Sequence, residues 1–161
     1  MKIKGLRWYI VVLIAFATII NYIDRNAFAY MWPAIKNDLG LSETDYKFII
    51  TCFSFSYAIS QALSGKLFDM VGTRLGFVFS IGLWSISAAL HGFAKGVMSF
   101  SIVRTLLGLG EAGNWPGATK SNAEWFPAKE RALAQGIFNA GASAGLIISP
   151  PLIAALFGWI G

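Results

Sequence analysis

Five long apolar stretches divide the chain, at about 8–32, 48–67, 75–90, 97–119 and 132–157. Polar or turn-forming residues bound each one. A helix needs roughly 20 apolar residues to cross the hydrocarbon core of a bilayer, and most of these stretches reach that length. The pattern therefore predicts an all-α membrane protein with five spans. Trp8 and Tyr9 at one end of the first span, and Tyr30 and Trp32 at the other, suit the two interfacial belts. Pro33 is expected to end that span, because proline lacks the N–H that a helix interior needs. Ser42-Glu43-Thr44-Asp45 reads as an acidic capping box that starts the second. A short loop over 68–74, with Gly72 as its turn residue, leads to the third span. Pro116 is expected to kink the fourth near its end, and Pro150-Pro151 to break the fifth.

Small residues recur inside the spans. Thr51, Ser54, Ser56, Ser60 and Ser64 in the second let helices approach closely and return hydrogen bonds to their own backbone. Gly113 with Gly117, and Gly141 with Gly145, have the four-residue spacing of close helix packing. Composition agrees with a membrane class: 56% of residues are hydrophobic and 13% charged, against roughly 25% charged in a soluble domain. The net charge of +5 does not mark a nucleic-acid partner, because Lys and Arg are scattered at span ends and form no stripe.

Their distribution predicts orientation. Lys2, Lys4, Arg7, Lys66, Arg74, Lys120, Lys129 and Arg131 fall on one side; Lys36, Lys47 and Lys95 fall on the other. The richer side is the cytoplasmic one by the positive-inside rule, which puts the N-terminus inside a cell (inner or plasma) membrane. The run from Trp8 to Ile23 is long for a signal peptide, and further spans follow, so an uncleaved first helix is expected. An odd number of spans ending at Trp159-Ile160-Gly161 suggests an incomplete N-terminal six-helix half of a longer chain.

Four charges interrupt the apolar stretches: Asp24, Arg25, Arg104 and Glu111. A charge at membrane depth costs at least ~2.5–3.5 kcal/mol on insertion scales, so it normally faces a polar cavity and serves a function. Arg104 and Glu111 are seven residues apart, nearly two helical turns, and share a face about 10.5 Å apart along the axis. Gly108 between them is expected to leave that face open, with Asn114 and Trp115 extending the stripe. Asp24 and Arg25 diverge by about 100° and need partners on other helices. The economical arrangement puts both pairs in one wet cavity; helix-locking ion pairs are the alternative. Tyr22 shares the face of Arg25. Arginine matches a carboxylate bidentately, and a carboxyl that gains or loses a proton according to the side its cavity opens to supplies proton coupling. Enzymatic chemistry finds no support: His91 lies at a span end and Cys52 is a lone cysteine in an apolar run. No metal or other cofactor is implied.

These residues resemble a known family. Gly65, Asp69, Gly72 and Arg74 match the cytoplasmic loop motif between helices 2 and 3 of the major facilitator superfamily, a conformational gate in that family; Met70 and Thr73 replace basic residues of the motif. Asn21-Tyr22-Ile23-Asp24-Arg25, and the run from Arg104 through Gly108 and Glu111 to Ala112, are similar to helices 1 and 4 of the anion:cation symporter family. The string from Lys4 to Tyr9, the string from Glu124 to Arg131, and Ile148-Ser149-Pro150-Pro151-Leu152 resemble hexuronate transporters more narrowly. The resemblance implies helices 1 to 5 of a twelve-helix fold and proton-coupled symport of an organic anion, glucuronate or galacturonate. By the same resemblance Arg25 contacts the substrate carboxylate, Tyr22 touches substrate, Asp24 and Glu111 carry coupling protons, and Arg104 partners Glu111. Some relatives have a glutamine where this chain has Ala142. The alternatives are the same mechanism on galactonate, glucarate or tartrate, and a five-helix fragment that does not transport. The implied partners are a small carboxylate, protons, the bilayer and the remainder of the chain.

Overall fold

The computed structural model describes residues 5–160, so Lys2, Lys4 and Gly161 lie outside the described residues. Five α-helices carry the chain: α1 Leu6–Leu39, α2 Glu43–Leu90, α3 Val97–Glu111, α4 Asn114–Trp125 and α5 Arg131–Ile160. Short 3₁₀ turns at His91–Phe93 and Ala128–Glu130 join α2 to α3 and α4 to α5. Three helical stretches are long and apolar enough to cross a membrane: Leu6–Leu39, Glu43–Phe93 and Ala128–Trp159. Large apolar side chains such as Phe16, Phe55, Leu63, Phe79 and Ile147 remain exposed. That distribution suits a lipid solvent, which does not penalise apolar surface.

The chain forms two compact units, one of Met1–Met31 with Ala118–Gly161 and one of Trp32–Gly117. In the second unit, the Ser42 hydroxyl accepts the backbone N–H of Asp45 at 3.2 Å, and the Asp45 carboxylate accepts the Ser42 N–H at 2.8 Å. This reciprocal box satisfies two of the N–H groups that open α2. The expected loop at 68–74 is absent: α2 stays helical up to a single residue, Gly72, with φ 80° and ψ 164°. Only glycine visits that backbone region without steric cost. The helix folds back there. Phe68 and Phe77 would lie about 13 Å apart along a continuous helix, yet their rings meet edge to face with centroids 5.5 Å apart.

Both halves of α2 then pack on α3. A Cβ at Gly108 would lie 2.7 Å from the Phe53 carbonyl oxygen, and one at Gly110 would lie 2.7 Å from the Trp84 nitrogen. Glycine at those two positions lets the helix backbones touch.

Pro33 does not end α1, which runs on to Leu39. Pro33 is exposed, so the ring clashes with no neighbouring helix and the carbonyl it deprives of a donor lies near the span end. Pro150 and Pro151 likewise lie inside α5 without breaking it, as membrane helices tolerate. In the first unit, α5 seats against α1 through glycine: a Cβ at Gly141 would fall 2.7 Å from the Ala15 carbonyl oxygen, and one at Gly145 would fall 2.8 Å from the Tyr22 Cβ. Val11, Phe126 and Ala134 form one buried cluster in that unit, with Trp8, Trp125 and Ile137 against it.

Candidate functional site

Arg104 and Glu111 are fully buried on α3, at 1% and 0% exposure. The expected open face around Gly108 is not what α3 presents. The backbone of α2 at Phe53 and Tyr57 occupies the space a Gly108 side chain would need, and the Arg104 guanidinium lies 5.7 Å from the Phe53 ring centroid. Gly108 is therefore a packing glycine, and the charged stripe of α3 is turned inward onto α2.

The fourth apolar stretch also differs from its expected form. It does not kink at Pro116; it breaks one residue after Glu111, between α3 and α4. Pro116 falls in the first turn of α4, where its missing N–H is least harmful. The carbonyl of Ala112, four residues before Pro116, has no helical donor in consequence. The Ser64 hydroxyl on α2 shares its proton between this carbonyl at 3.4 Å and the Gln61 carbonyl of its own helix at 3.1 Å. Gly113 N–H turns to the Gly110 carbonyl at 3.4 Å, and Ser60 donates to the carbonyl of Leu109 at 3.0 Å. Two serines one turn apart on α2 thus serve the backbone on either side of Glu111. The expected return of these hydroxyls to their own helix holds for Ser64, whose shorter bond goes to the Gln61 carbonyl at 3.1 Å, whereas the bond of Ser60 crosses to α3.

On α1, Asp24 and Arg25 are half-buried. The Arg25 guanidinium carbon sits 5.3 Å from the Tyr22 ring centroid, so the ring supports the cation one turn away. Asn21 and Thr18, on the same side of α1 as Arg25, are fully buried. The complete burial of Asn21 is not legible from its spacing along α1. Among the gate-motif residues, Gly72 is the fold-back point, while Asp69 and Arg74 are exposed beside it. Gly65 has open space where a Cβ would stand, so nothing in its surroundings requires glycine. Ala142 is buried. His91 Nδ1 lies 2.8 Å from the Ser87 carbonyl oxygen at the end of α2.

Two of the three strings that resemble hexuronate transporters, the one ending at Tyr9 and the one from Glu124 to Arg131, meet each other. Trp8 packs edge to face on Phe126 with centroids 5.0 Å apart, and Arg7 pairs with Glu130 at 2.9 Å. Arg131 donates to the carbonyls of Phe126 and Ala123 at 3.1 and 2.8 Å, covering the C-terminal end of α4.

The profile of the Major Facilitator Superfamily matches residues 14–161. The chain belongs to the Major Facilitator Superfamily. Its all-α architecture is the membrane fold of that superfamily, and the protein is multi-pass. The hexuronate transporter of Escherichia coli (strain K12) is 37% identical over 152 residues, covering 94% of this chain and 35% of the relative. The galacturonate transporter of Dickeya chrysanthemi is 38% identical, covering 94% and 44% respectively. The probable L-galactonate transporter of E. coli K12 is 36% identical over 99% of this chain and 36% of the relative. All three are named as transporters, not enzymes. A bacterial homolog of the human lysosomal transporter Spinster, solved inward-facing and occupied, superposes with a TM-score of 0.84 at 25% identity, over 94% of this chain and 33% of that one. The chain spans between about a third and a half of the length of these superfamily relatives.

Proposed function

We propose that this superfamily member is part of a secondary transporter that carries a hexuronate by proton symport. The observation that carries the reading is Glu111: a carboxyl fully buried on α3, seven residues from the buried Arg104, in a chain 37–38% identical to transporters named for hexuronate and galacturonate. A buried carboxyl is costly when charged and cheap when neutral, so its protonation is tied to whichever conformation gives it water or a cation. Glu111 and Asp24 take the coupling protons in this reading, Arg104 offsets the Glu111 charge, Arg25 holds the substrate carboxylate, and Tyr22 touches the substrate. Asp69, Gly72 and Arg74, with Gly65, form the gate beside the α2 fold-back. The positive-inside asymmetry supports a cytoplasmic N-terminus in a cell membrane.

The test separates coupling from binding. In the gene product carrying these residues, Glu111→Gln fixes the neutral state. Uphill accumulation driven by a proton gradient is lost, while counterflow exchange of labelled hexuronate persists. Undiminished accumulation removes Glu111 from coupling. A second reading, the same mechanism on an aldonate or aldarate, is favoured by relatives named for L-galactonate and for galactarate/D-glucarate. Uptake of labelled glucuronate, galactonate and glucarate side by side decides between the two.

A further inference from the structure

Asn21 is 0% exposed, and neither its amide nitrogen nor its amide oxygen has a hydrogen-bond partner. No other described side chain has both polar ends in that condition. A primary amide brings two donors and two acceptor lone pairs. Leaving such groups dry costs about 1–3 kcal/mol each, and buried amides are nearly always satisfied, so an orphan one asks for a missing partner. Its neighbour does not supply it: Thr18, three residues earlier on the same side of α1, gives its hydroxyl to the Ile14 carbonyl at 2.9 Å. Asn21 stands one helical turn before Arg25, about 6 Å along the axis.

We propose that Asn21 reads a hydroxyl of the substrate and so selects polyhydroxylated acids over plain carboxylates. This rests on the reading above, in which Arg25 holds the carboxylate. A ligand anchored there by one end and lying along α1 brings its next polar carbons to Asn21. A six-carbon sugar acid covers that rise; a two-carbon acid does not. An amide suits the task because it donates and accepts at once, as a sugar hydroxyl does, and it adds no charge to a site already holding Asp24 and Arg25. Alternating access changes which side of the helices is solvated, so an amide sealed in one state meets its ligand in another. Leucine at this position would fill the volume and leave the substrate hydroxyl unpaired.

The experiment is a ligand cycle on the purified gene product, measuring binding of galacturonate and each of its monodeoxy analogues. In the wild type, one deoxy position weakens binding by about tenfold or more. In Asn21→Leu, galacturonate itself binds about tenfold more weakly, and the same deoxy analogue binds as well as its parent. Asn21→Ser, which is smaller and keeps one hydroxyl, gives an intermediate result. Equal discrimination by wild type and variants overturns the proposal and leaves Asn21 with a bound water. A wild type that binds galacturonate yet tolerates every deoxy position overturns it without any variant having to fold. A wild type that binds no sugar acid overturns the transport reading as well, so the two failures are distinct.

Discussion

The hydroxyl of Ser64 reaches the carbonyl of Ala112 at 3.4 Å, the carbonyl that Pro116 leaves without a helical donor, beside a bond of 3.1 Å to Gln61 on its own helix. Ser60, one turn earlier, makes the shorter bond, 3.0 Å to Leu109. Backbone carbonyls in a membrane-embedded break must find donors inside the protein. The α3–α4 break therefore depends on α2, and α2 thereby fixes where Glu111 ends its helix.

This makes Ser64 and Pro116 energetically coupled. Ser64→Ala and Ser60→Ala should each lower the unfolding free energy of the purified protein by about 1 kcal/mol. Pro116→Ala restores an N–H four residues after Ala112. In that background the cost of Ser64→Ala should shrink, since only its bond to Gln61 is then needed, while the cost of Ser60→Ala stays. A denaturant-unfolding double-mutant cycle measures the difference; strictly additive costs would show that the Ser64 bond contributes nothing.

Gly108 and Gly136 are both helical glycines, and their surroundings predict opposite outcomes. A methyl at Gly108 would sit 2.7 Å from the Phe53 carbonyl oxygen and 3.1 Å from the Tyr57 nitrogen, whereas one at Gly136 has nothing within 4 Å. Gly108→Ala must push α3 off α2 and should cost about 1–3 kcal/mol. Gly136→Ala removes backbone freedom from the unfolded chain and should stabilise by about 0.5–1 kcal/mol. Thermal melting of the two variants in detergent checks both signs at once.

The same glycine marks how far the sequence was legible. Apolar periodicity located the membrane stretches because a bilayer tolerates few interruptions, and the acidic capping box at Ser42–Asp45 was legible because it is local. Gly108, Ser60 and Ser64 were readable only as small residues. Their roles depend on which helix faces them, and spacing along one helix does not say what stands opposite. The prolines misled for a related reason. The pattern predicts an end at Pro33 and a break at Pro150-Pro151, yet α1 and α5 run through them. The chain spends its break after Glu111, where α2 supplies hydroxyls to receive it. Asp24 and Arg25 were legible as functional candidates from cost alone, whereas the burial of Asn21 beside them depends on tertiary packing.

The capping box gives a pH signature at the polar start of α2, ahead of the apolar stretch that begins near residue 48. Hydrogen bonds from the Ser42 hydroxyl and backbone N–H hold the Asp45 carboxyl below its ordinary 3.8. A depressed carboxyl contributes stability above its unfolded value and loses it as pH falls through the folded one. Amide exchange at the start of α2 should therefore be insensitive to pH-driven fraying from about pH 8 to about pH 5, then accelerate beyond its intrinsic rate below about pH 4. Ser42→Ala should move the onset upward. An unchanged onset would mean that the box does not hold the helix end in solution.

Arg25 offers the most direct functional discrimination, because its geometry separates charge from shape. The guanidinium lies over the Tyr22 ring at 5.3 Å, which holds its planar fork in a fixed orientation. Lysine keeps the charge but has neither the fork nor the flat face. Arg25→Lys should weaken hexuronate binding by at least about tenfold, the loss of one hydrogen bond to a charged group. Tyr22→Phe retains the ring and should cost less than Tyr22→Leu, which removes it. Binding measured by equilibrium titration on protein with an unchanged melting temperature tests all three. Equal affinity of wild type and Arg25→Lys would take Arg25 out of the substrate contact; equal losses for Tyr22→Phe and Tyr22→Leu would assign the tyrosine's contribution to its hydroxyl instead of to the ring beneath the cation.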